Sequence, residues 1–356
     1  MKIILACDRS AGHIFPALTV GKNIRNKSAI ETNSLDGRKS ISYKDEVYFF
    51  ATSDFLKDYL EKEGFLVYGK IFRSRNLLKE VVFRALEAIY LIFKLKPRKI
   101  IGFGGRDSFF LLFFGSLLFL DTAIYEPNRT IGKANKVLSF FVHKVFCGFQ
   151  ETVIIKKAKV VGIPLRENIK IIPRAKALEI LHFEDKPVIF CFGGSQGSSF
   201  LNSIFVKLVT SLDGDYQVVH LTGRREYFQI MQFYNKIKRR VFVKDFYYAM
   251  EVLYSATDLA ICRAGASTLA ELTYYGIPSI LIPHPAASGH QKENAFYLAK
   301  RGAAFVFLQE KFSFNVFMGT VEKAIYDGII RQSLMRNLGN IKLGVNYKEF
   351  CANTYF

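Results

Sequence analysis

Cysteine is scarce in this chain, and its five occurrences (Cys7, Cys147, Cys191, Cys262, Cys351) form no metal or disulfide framework. They show no CxxC pair or other ligand spacing, and three of them close predicted strands, which suits buried free thiols in a reducing compartment. Other absences narrow the field. The opening Met1-Lys-Ile-Ile-Leu-Ala-Cys7 reads as a short strand and not as a signal peptide, so a cytoplasmic chain is expected. The apolar segment from Phe109 to Leu120, bounded by Asp107 and Asp121, has only twelve residues, too few to span a bilayer. There is no P-loop ending and no complete GxGxxG, which weakens ATPase and dehydrogenase readings. RNP, zinc-ligand and helix-turn-helix signatures are missing, so nucleic acid is not an expected partner. One Asp-x-Asp, Asp213-Gly-Asp215, falls in a predicted helix-to-strand turn, and His143, His182 and His284 lack ligand spacing, so no metal site is expected.

Positive charge, by contrast, is abundant. The formal net charge is +19, with 27 basic against 15 acidic residues in 1–160 and 23 against 16 in 161–356. Such an excess calls for an acidic partner or surface. Residues 70–99 carry nine of the basic residues (Lys70, Arg73, Arg75, Lys79, Arg84, Lys94, Lys96, Arg98, Lys99) against Glu80 and Glu87. Leucines, valines and aromatics interleave them, which predicts a basic amphipathic helix. It suits an anionic membrane surface, apolar face in the lipid and cations on the headgroups, or equally a helix packed on a sheet with a solvated basic face.

At 356 residues the chain suits two domains. Apolar strands alternate with helical periodicity, the pattern of parallel α/β sheets. Strands are predicted at 2–7, 47–50, 99–102, 123–126, 144–147, 188–192, 217–221, 241–243, 258–262, 279–282 and 304–307. Ile100-Ile-Gly-Phe-Gly-Gly105 and Val188-Ile-Phe-Cys-Phe-Gly-Gly194 echo one another, which suggests two similar nucleotide-type folds in tandem. Gly162 and Pro164 punctuate the boundary. After Gly193-Gly-Ser-Gln-Gly197, the residues Leu201, Phe205, Leu208 and Leu212 mark one helical face.

The run Arg263-Ala-Gly-Ala-Ser-Thr-Leu-Ala-Glu271 lies between an apolar strand and the apolar segment Pro278–Pro283. A strand that empties into small residues and then a helix start is a phosphate-attracting arrangement. Thr268 and Glu271 have the spacing of a capping box, which the local pattern favours. The alternative gives Thr268 a phosphate oxygen and Glu271 a ribose diol.

The residues Gly12-His-Ile-Phe-Pro-Ala-Leu18, Gly162-Ile-Pro-Leu-Arg166, Gly193–Gly197, His220-Leu-Thr-Gly223, Asp258–Glu271 and His290-Gln-Lys-Glu-Asn294 resemble the motifs of the MurG family. The resemblance runs from about residue 1 to 310. It implies a GT-B fold, two Rossmann-like parallel-sheet domains facing a cleft: 1–162 for acceptor and membrane, 163–335 for the UDP-sugar donor, and a helix in 336–356 returning to the first. It implies an inverting transfer of N-acetylglucosamine from UDP-N-acetylglucosamine to undecaprenyl-diphosphate-linked MurNAc-pentapeptide in peptidoglycan synthesis, with no cofactor, by a peripheral protein on the cytoplasmic face of the bacterial inner membrane.

The resemblance also assigns residues. Ser195 and Gln196 would meet diphosphate and sugar, Arg166 the phosphates, and the backbone at Phe246 and Tyr247 the uracil edge. Met250 and Arg263 would line the pocket, with Gly265, Ala266 and Thr268 on phosphate and Glu271 on ribose. Gln291 and Asn294 would hold the sugar hydroxyls. His13 is the first candidate base for the acceptor hydroxyl and Glu126 the second, while helix starts near 195 and 266 stabilise the departing diphosphate. Arg9, Ser10, Gly12, Gly104, Gly105 and Asn128 fall on the acceptor side.

Departures from the family concentrate there. Its Gly-Gly-Thr-Gly-Gly-His loop reads Asp8-Arg-Ser-Ala-Gly-His13, its Gly-Gly-Tyr-Val-Ser-Gly-Pro reads Gly104-Gly-Arg-Asp-Ser-Phe-Phe110, and its His-Glu-Gln-Asn reads Tyr125-Glu-Pro-Asn128. Two alternatives follow: a related transferase with another acceptor, and a non-catalytic UDP-sugar binder at the membrane.

Overall fold

In the computed structural model all residues are described except 8–10, 34–38, 73, 75, 153–157, 168, 195, 287–288 and 355–356. Two compact units emerge, Met1–Arg166 with Val345–Phe356, and Glu167–Gly344.

The first unit is built on a seven-stranded sheet. Its spatial order is Leu66–Tyr68, Glu46–Phe50, Lys2–Ala6, Lys99–Gly102, Asp121–Glu126, Lys144–Cys147 and Ala158–Val160, and every pairing is parallel. Side chains alternate between the two faces, as a strand requires. Ile3, Leu5 and Cys7 enter one core with Ile14, Leu18, Phe49 and Phe350. Ile4 and Ala6 enter the other with Leu91, Ile92, Leu95, Leu111 and Leu112. The helices Ala11–Lys27 and Asp54–Lys62 thus serve the first face, and Leu77–Leu95 and Phe109–Leu117 the second. Each fully buried Leu or Ile contributes about 1.5–3 kcal/mol. The chain's end joins the first core: the Phe350 ring, on the helix Tyr347–Asn353, meets Tyr125 edge to face at 5.1 Å.

The second unit repeats the plan. Its six-stranded sheet runs Val241–Lys244, Gln217–Leu221, Val188–Phe192, Leu259–Cys262, Ser279–Leu281 and Phe305–Val306, again wholly parallel. Leu201, Phe205, Leu208 and Leu212 are all buried against it.

Both sheets place their first strand in the interior, the second and third to one side, and the fourth onward to the other. That reversal makes a crevice at the carboxyl ends of strands one and four, where open α/β sheets bind ligands. In the first unit the crevice falls after Ala6 and Gly102, in the second after Phe192 and Cys262. The two Phe-Gly-Gly stretches are therefore not equivalent positions. One follows the fourth strand of its sheet and the other the first, so the likeness is local chemistry at a switch point and not a sequence repeat.

An antiparallel hairpin, Ala29–Asn33 with Lys39–Tyr43, is added before the second strand of the first sheet. No helix of the described residues is long and apolar enough to cross a membrane.

Candidate active site

At the crevice of the second sheet two turns come together. Gly193–Gly197 leaves the first strand and leads into the helix Ser199–Ser211, which therefore starts four residues later than the sequence suggests. Ser198 caps it, accepting from the Leu201 amide at 3.4 Å. Arg263 leaves the fourth strand and leads into the helix Ala266–Tyr275, whose cap is Gly265 with no side-chain capping bond. This overturns the capping box: Thr268 sits inside the first turn and Glu271 in the helix body, so neither serves the helix start. The first amides of Ala266–Tyr275 receive no side-chain cap, the condition that favours an anion there.

Arg263 is the link between the turns. Its Nη2 donates to Ser198 Oγ at 2.7 Å and Gln309 Oε1 at 3.0 Å, and its Nη1 to the carbonyls of Ile282 and Pro283 at 3.0 and 3.1 Å. It is buried, and desolvation pulls its pKa below the usual arginine value. Its guanidinium thereby clamps three segments of the unit. Asn294, fully buried, donates to the Ala264 carbonyl at 3.2 Å and braces the same turn. Glu271 is buried and accepts the Tyr254 hydroxyl on Oε2 at 2.7 Å. Tyr254 belongs to the helix Met250–Ala256, so this bond fixes Met250, itself buried, relative to the ribose candidate.

The remaining donor-side candidates are more peripheral. Gln196 is exposed. Gln291 Oε1 accepts the His284 amide at 2.9 Å. The Phe246 amide donates to Asp245 Oδ1 at 2.8 Å, and the Phe246 and Tyr247 rings pack on Tyr248 and Phe242. Arg166 belongs to the first unit, its guanidinium 5.9 Å over the Phe15 ring. Ser195, Arg9 and Ser10 lie outside the described residues.

Residues that the sequence quoted only as a motif hold the turns from behind. A Cβ on Gly197 would lie 2.2 Å from the Thr222 carbonyl oxygen, and one on Gly223 2.6 Å from the Gln196 carbonyl oxygen. Both glycines have positive φ, 74° and 77°, so the close approach excludes any side chain. Below them, buried His220 contacts Tyr234 Oη through Nδ1 at 2.9 Å and Asn202 Oδ1 through Nε2 at 3.1 Å. Asn202 Nδ2 donates to the Thr222 carbonyl at 2.9 Å. Because Asn202 Oδ1 only accepts, His220 carries its proton on Nε2. Burial lowers its pKa to about 3, which keeps it neutral.

At the crevice of the first sheet, His13, on the first turn of Ala11–Lys27, packs against the backbone at Gly104. A Cβ there would lie 3.0 Å from His13 Nε2, and Gly104 has φ 102°. Gly105 follows with φ 99°, and Ser108 Oγ donates to the carbonyls of Gly104 and Gly105 at 3.1 and 3.2 Å. Gly12 is exposed at the helix start. Glu126 has a different character. It is buried, and its carboxylate accepts from Asn128 N and Nδ2 at 3.1 and 2.9 Å, Gly132 N at 2.9 Å and Asn135 Nδ2 at 2.9 Å. Four donors make it the brace of the turn that follows its strand. Among the described residues no group of three His, Cys, Asp or Glu could hold a metal.

The helix Leu77–Leu95 departs from ordinary amphipathicity. Leu78, Val82, Leu86, Tyr90 and Phe93 are exposed, while Glu80 and Arg84 are buried. Arg84 and Lys99 are thus not available to headgroups as the sequence suggested, and Arg73 and Arg75 lie outside the described residues. Next to this helix, Phe109–Leu117 ends in exposed Leu117, Leu118 and Phe119, the last 90% exposed.

Comparison with known proteins agrees with this anatomy. Residues 188–330 match the glycosyltransferase family 28 C-terminal domain. The MurG crystal structure from Acinetobacter baumannii superposes with a TM-score of 0.77 at 23% identity, covering 99% of this chain and 98% of that one. The fold is thus that of a GT-B glycosyltransferase. The UDP-N-acetylglucosamine–N-acetylmuramyl-(pentapeptide) pyrophosphoryl-undecaprenol N-acetylglucosamine transferase of Thermoanaerobacter sp. (strain X514) is 32% identical over 335 residues, 87% of each chain. The enzyme of the same name from Bdellovibrio bacteriovorus is 29% identical over 346 residues, 95% of this chain and 94% of its own. The chain belongs to this family of N-acetylglucosamine transferases, the MurG family.

Proposed function

We propose that the chain transfers N-acetylglucosamine from UDP-N-acetylglucosamine to the sugar hydroxyl of undecaprenyl-diphosphate-linked N-acetylmuramyl-pentapeptide. The observation that carries this reading is the bridged pair of turns at the second sheet's crevice, Gly193–Ser198 and Arg263–Ala266. It offers a diphosphate two helix starts and offers the ribose a buried carboxylate, Glu271. Thr268 supplies a hydroxyl to phosphate from the first turn of its helix.

In the reaction the acceptor hydroxyl attacks the anomeric carbon. Its proton passes to His13, the bond to UDP breaks, and UDP leaves with the electron pair, stabilised by backbone amides. His13 is the base we favour because it is partly exposed beside the Gly104–Gly105 backbone, whereas the Glu126 carboxylate is occupied by four donors. Arg9, Gly12 and Asn128 remain acceptor-side candidates.

The apolar face of Leu77–Leu95, continued by Leu117–Phe119, supports a peripheral position on the cytoplasmic face of the inner membrane. Exposed Lys79, Lys94, Lys96 and Arg98 supply cations for anionic headgroups.

The purified chain given UDP-N-acetylglucosamine and the lipid-linked acceptor should form the disaccharide-lipid. Donor hydrolysis without that product would favour a different acceptor, and neither reaction would leave a non-catalytic binder.

A further inference from the structure

A helix that buries charge and exposes leucine needs a reason on its inner side. Under Leu77–Leu95, Arg84 is 4% exposed and Asp107 3%. Arg84 Nη1 donates to the Lys70 carbonyl at 2.8 Å and pairs with Glu87 Oε2 at 2.6 Å. Its Nη2 lies 3.6 Å from Asp107 Oδ2, which also accepts the Thr52 hydroxyl at 2.6 Å. One turn earlier, Glu80 Oε1 pairs with Arg106 Nη2 at 2.8 Å. Two successive loop residues, Arg106 and Asp107, are therefore tied to two successive turns of the helix. They belong to the loop whose Gly104 abuts His13 and whose Ser108 closes back on Gly104 and Gly105.

Buried ion clusters seldom add net stability over apolar packing of the same volume; their directional bonds select one arrangement among several. We infer that Arg84 and Asp107 are positioning residues for the acceptor side, holding the Gly104–Ser108 loop against His13 and coupling it to the apolar-faced helix. Thr52 completes the seat by fixing the Asp107 carboxylate. The inference rests on the acceptor-side role proposed for His13 and this loop.

The test uses the full chain with Asp107→Asn, Arg84→Lys and the milder Thr52→Val. Amide hydrogen exchange should quicken at least tenfold in residues 103–109 and stay unchanged in 263–275. Steady-state rates should show the KM for the lipid-linked acceptor raised at least fivefold, with that for UDP-N-acetylglucosamine within twofold. Unchanged exchange at 103–109 in folded variants would overturn the inference. So would equal acceleration of both segments in all three variants, or a loosened loop with unaltered acceptor KM. A parent chain that transfers no sugar defeats the proposed function alone, since the exchange measurement still decides whether the cluster holds the loop.

Discussion

Arg263 Nη2 donates to Ser198 Oγ at 2.7 Å, and that bond ties the fourth strand of the second sheet to the helix cap that follows the first. Both flank the crevice created by the reversal of strand order, so the spacing of the two turns depends on one guanidinium. The geometry needs arginine: four acceptors from three segments are reached by a planar fork, which a lysine ammonium cannot span.

Arg263→Gln should therefore cost about 2–3 kcal/mol of stability, since hydrogen bonds to a charged group are lost and their buried acceptors left unpaired. It should also weaken UDP binding at least tenfold. Urea unfolding and calorimetric titration with UDP measure the two effects. A destabilised variant with parental UDP affinity would reduce Arg263 to a packing role, while Arg263→Lys should fall between.

His13 and Glu126 differ in environment, and the difference predicts opposite phenotypes. His13→Ala should lower kcat by about 10²–10⁴, the range for a lost general base, with an unchanged melting temperature and unchanged UDP affinity. Glu126→Ala strips four donors of their acceptor and should cost about 3 kcal/mol in stability, since each buried donor left unpaired costs about 1–3 kcal/mol. A stable Glu126→Ala variant with parental folding and no turnover would reverse the assignment.

Much of this was legible in the sequence, for physical reasons. Strands of a parallel sheet covered on both faces are apolar throughout, so Val188–Phe192 and Leu259–Cys262 announce themselves. Leu66–Tyr68 and Ala158–Val160 are three-residue edge strands with exposed members, and they carry no such run. Thr268 and Glu271 have the spacing of a capping box, which the local pattern alone favours, yet Gly265 begins the helix. The inside of Leu77–Leu95 was hidden for a different reason. Its arginine and glutamate look like a solvated face until the Gly104–Ser108 loop, close by in space but remote in register, is folded beneath them. Likewise the motif around His220 signals a site, but its partners Asn202 and Tyr234 lie on separate helices that only the fold unites.

Membrane attachment should depend on the outward apolar side chains. Leu86 and Phe93 are 62% and 65% exposed, and transferring such a side chain from water contributes about 1.5–3 kcal/mol when complete. Partial insertion at an interface predicts about a tenfold loss of vesicle partitioning for Leu86→Ser or Phe93→Ser. Co-sedimentation with anionic vesicles should also weaken as salt rises, and with Lys94→Gln and Lys96→Gln together. Parental binding by all these variants would remove this face from the membrane contact.

His220 gives the fold a pH dependence whose sign is fixed by its burial. Its pKa falls from 6.5 to about 3 on folding, so between those values the unfolded chain binds a proton that the native chain refuses. The stability it contributes is complete above about pH 6.5 and is lost as pH drops through the window, by up to about 1.4 kcal/mol per unit. Urea unfolding of the parent and of His220→Gln, compared from pH 7.5 to 4.5, should show the variant less stable at neutral pH and the gap narrowing toward acid. The narrowing matters because it separates the imidazole from its hydrogen bonds. Glutamine cannot titrate, so a gap constant with pH would mean that His220 takes up its proton as readily in the native chain as in the unfolded one, and that the buried uncharged network is wrong. Should the gap close as expected, the turn at Thr222–Gly223 rests on an uncharged network throughout the measured range, and acid effects on donor binding within that range must come from residues other than His220.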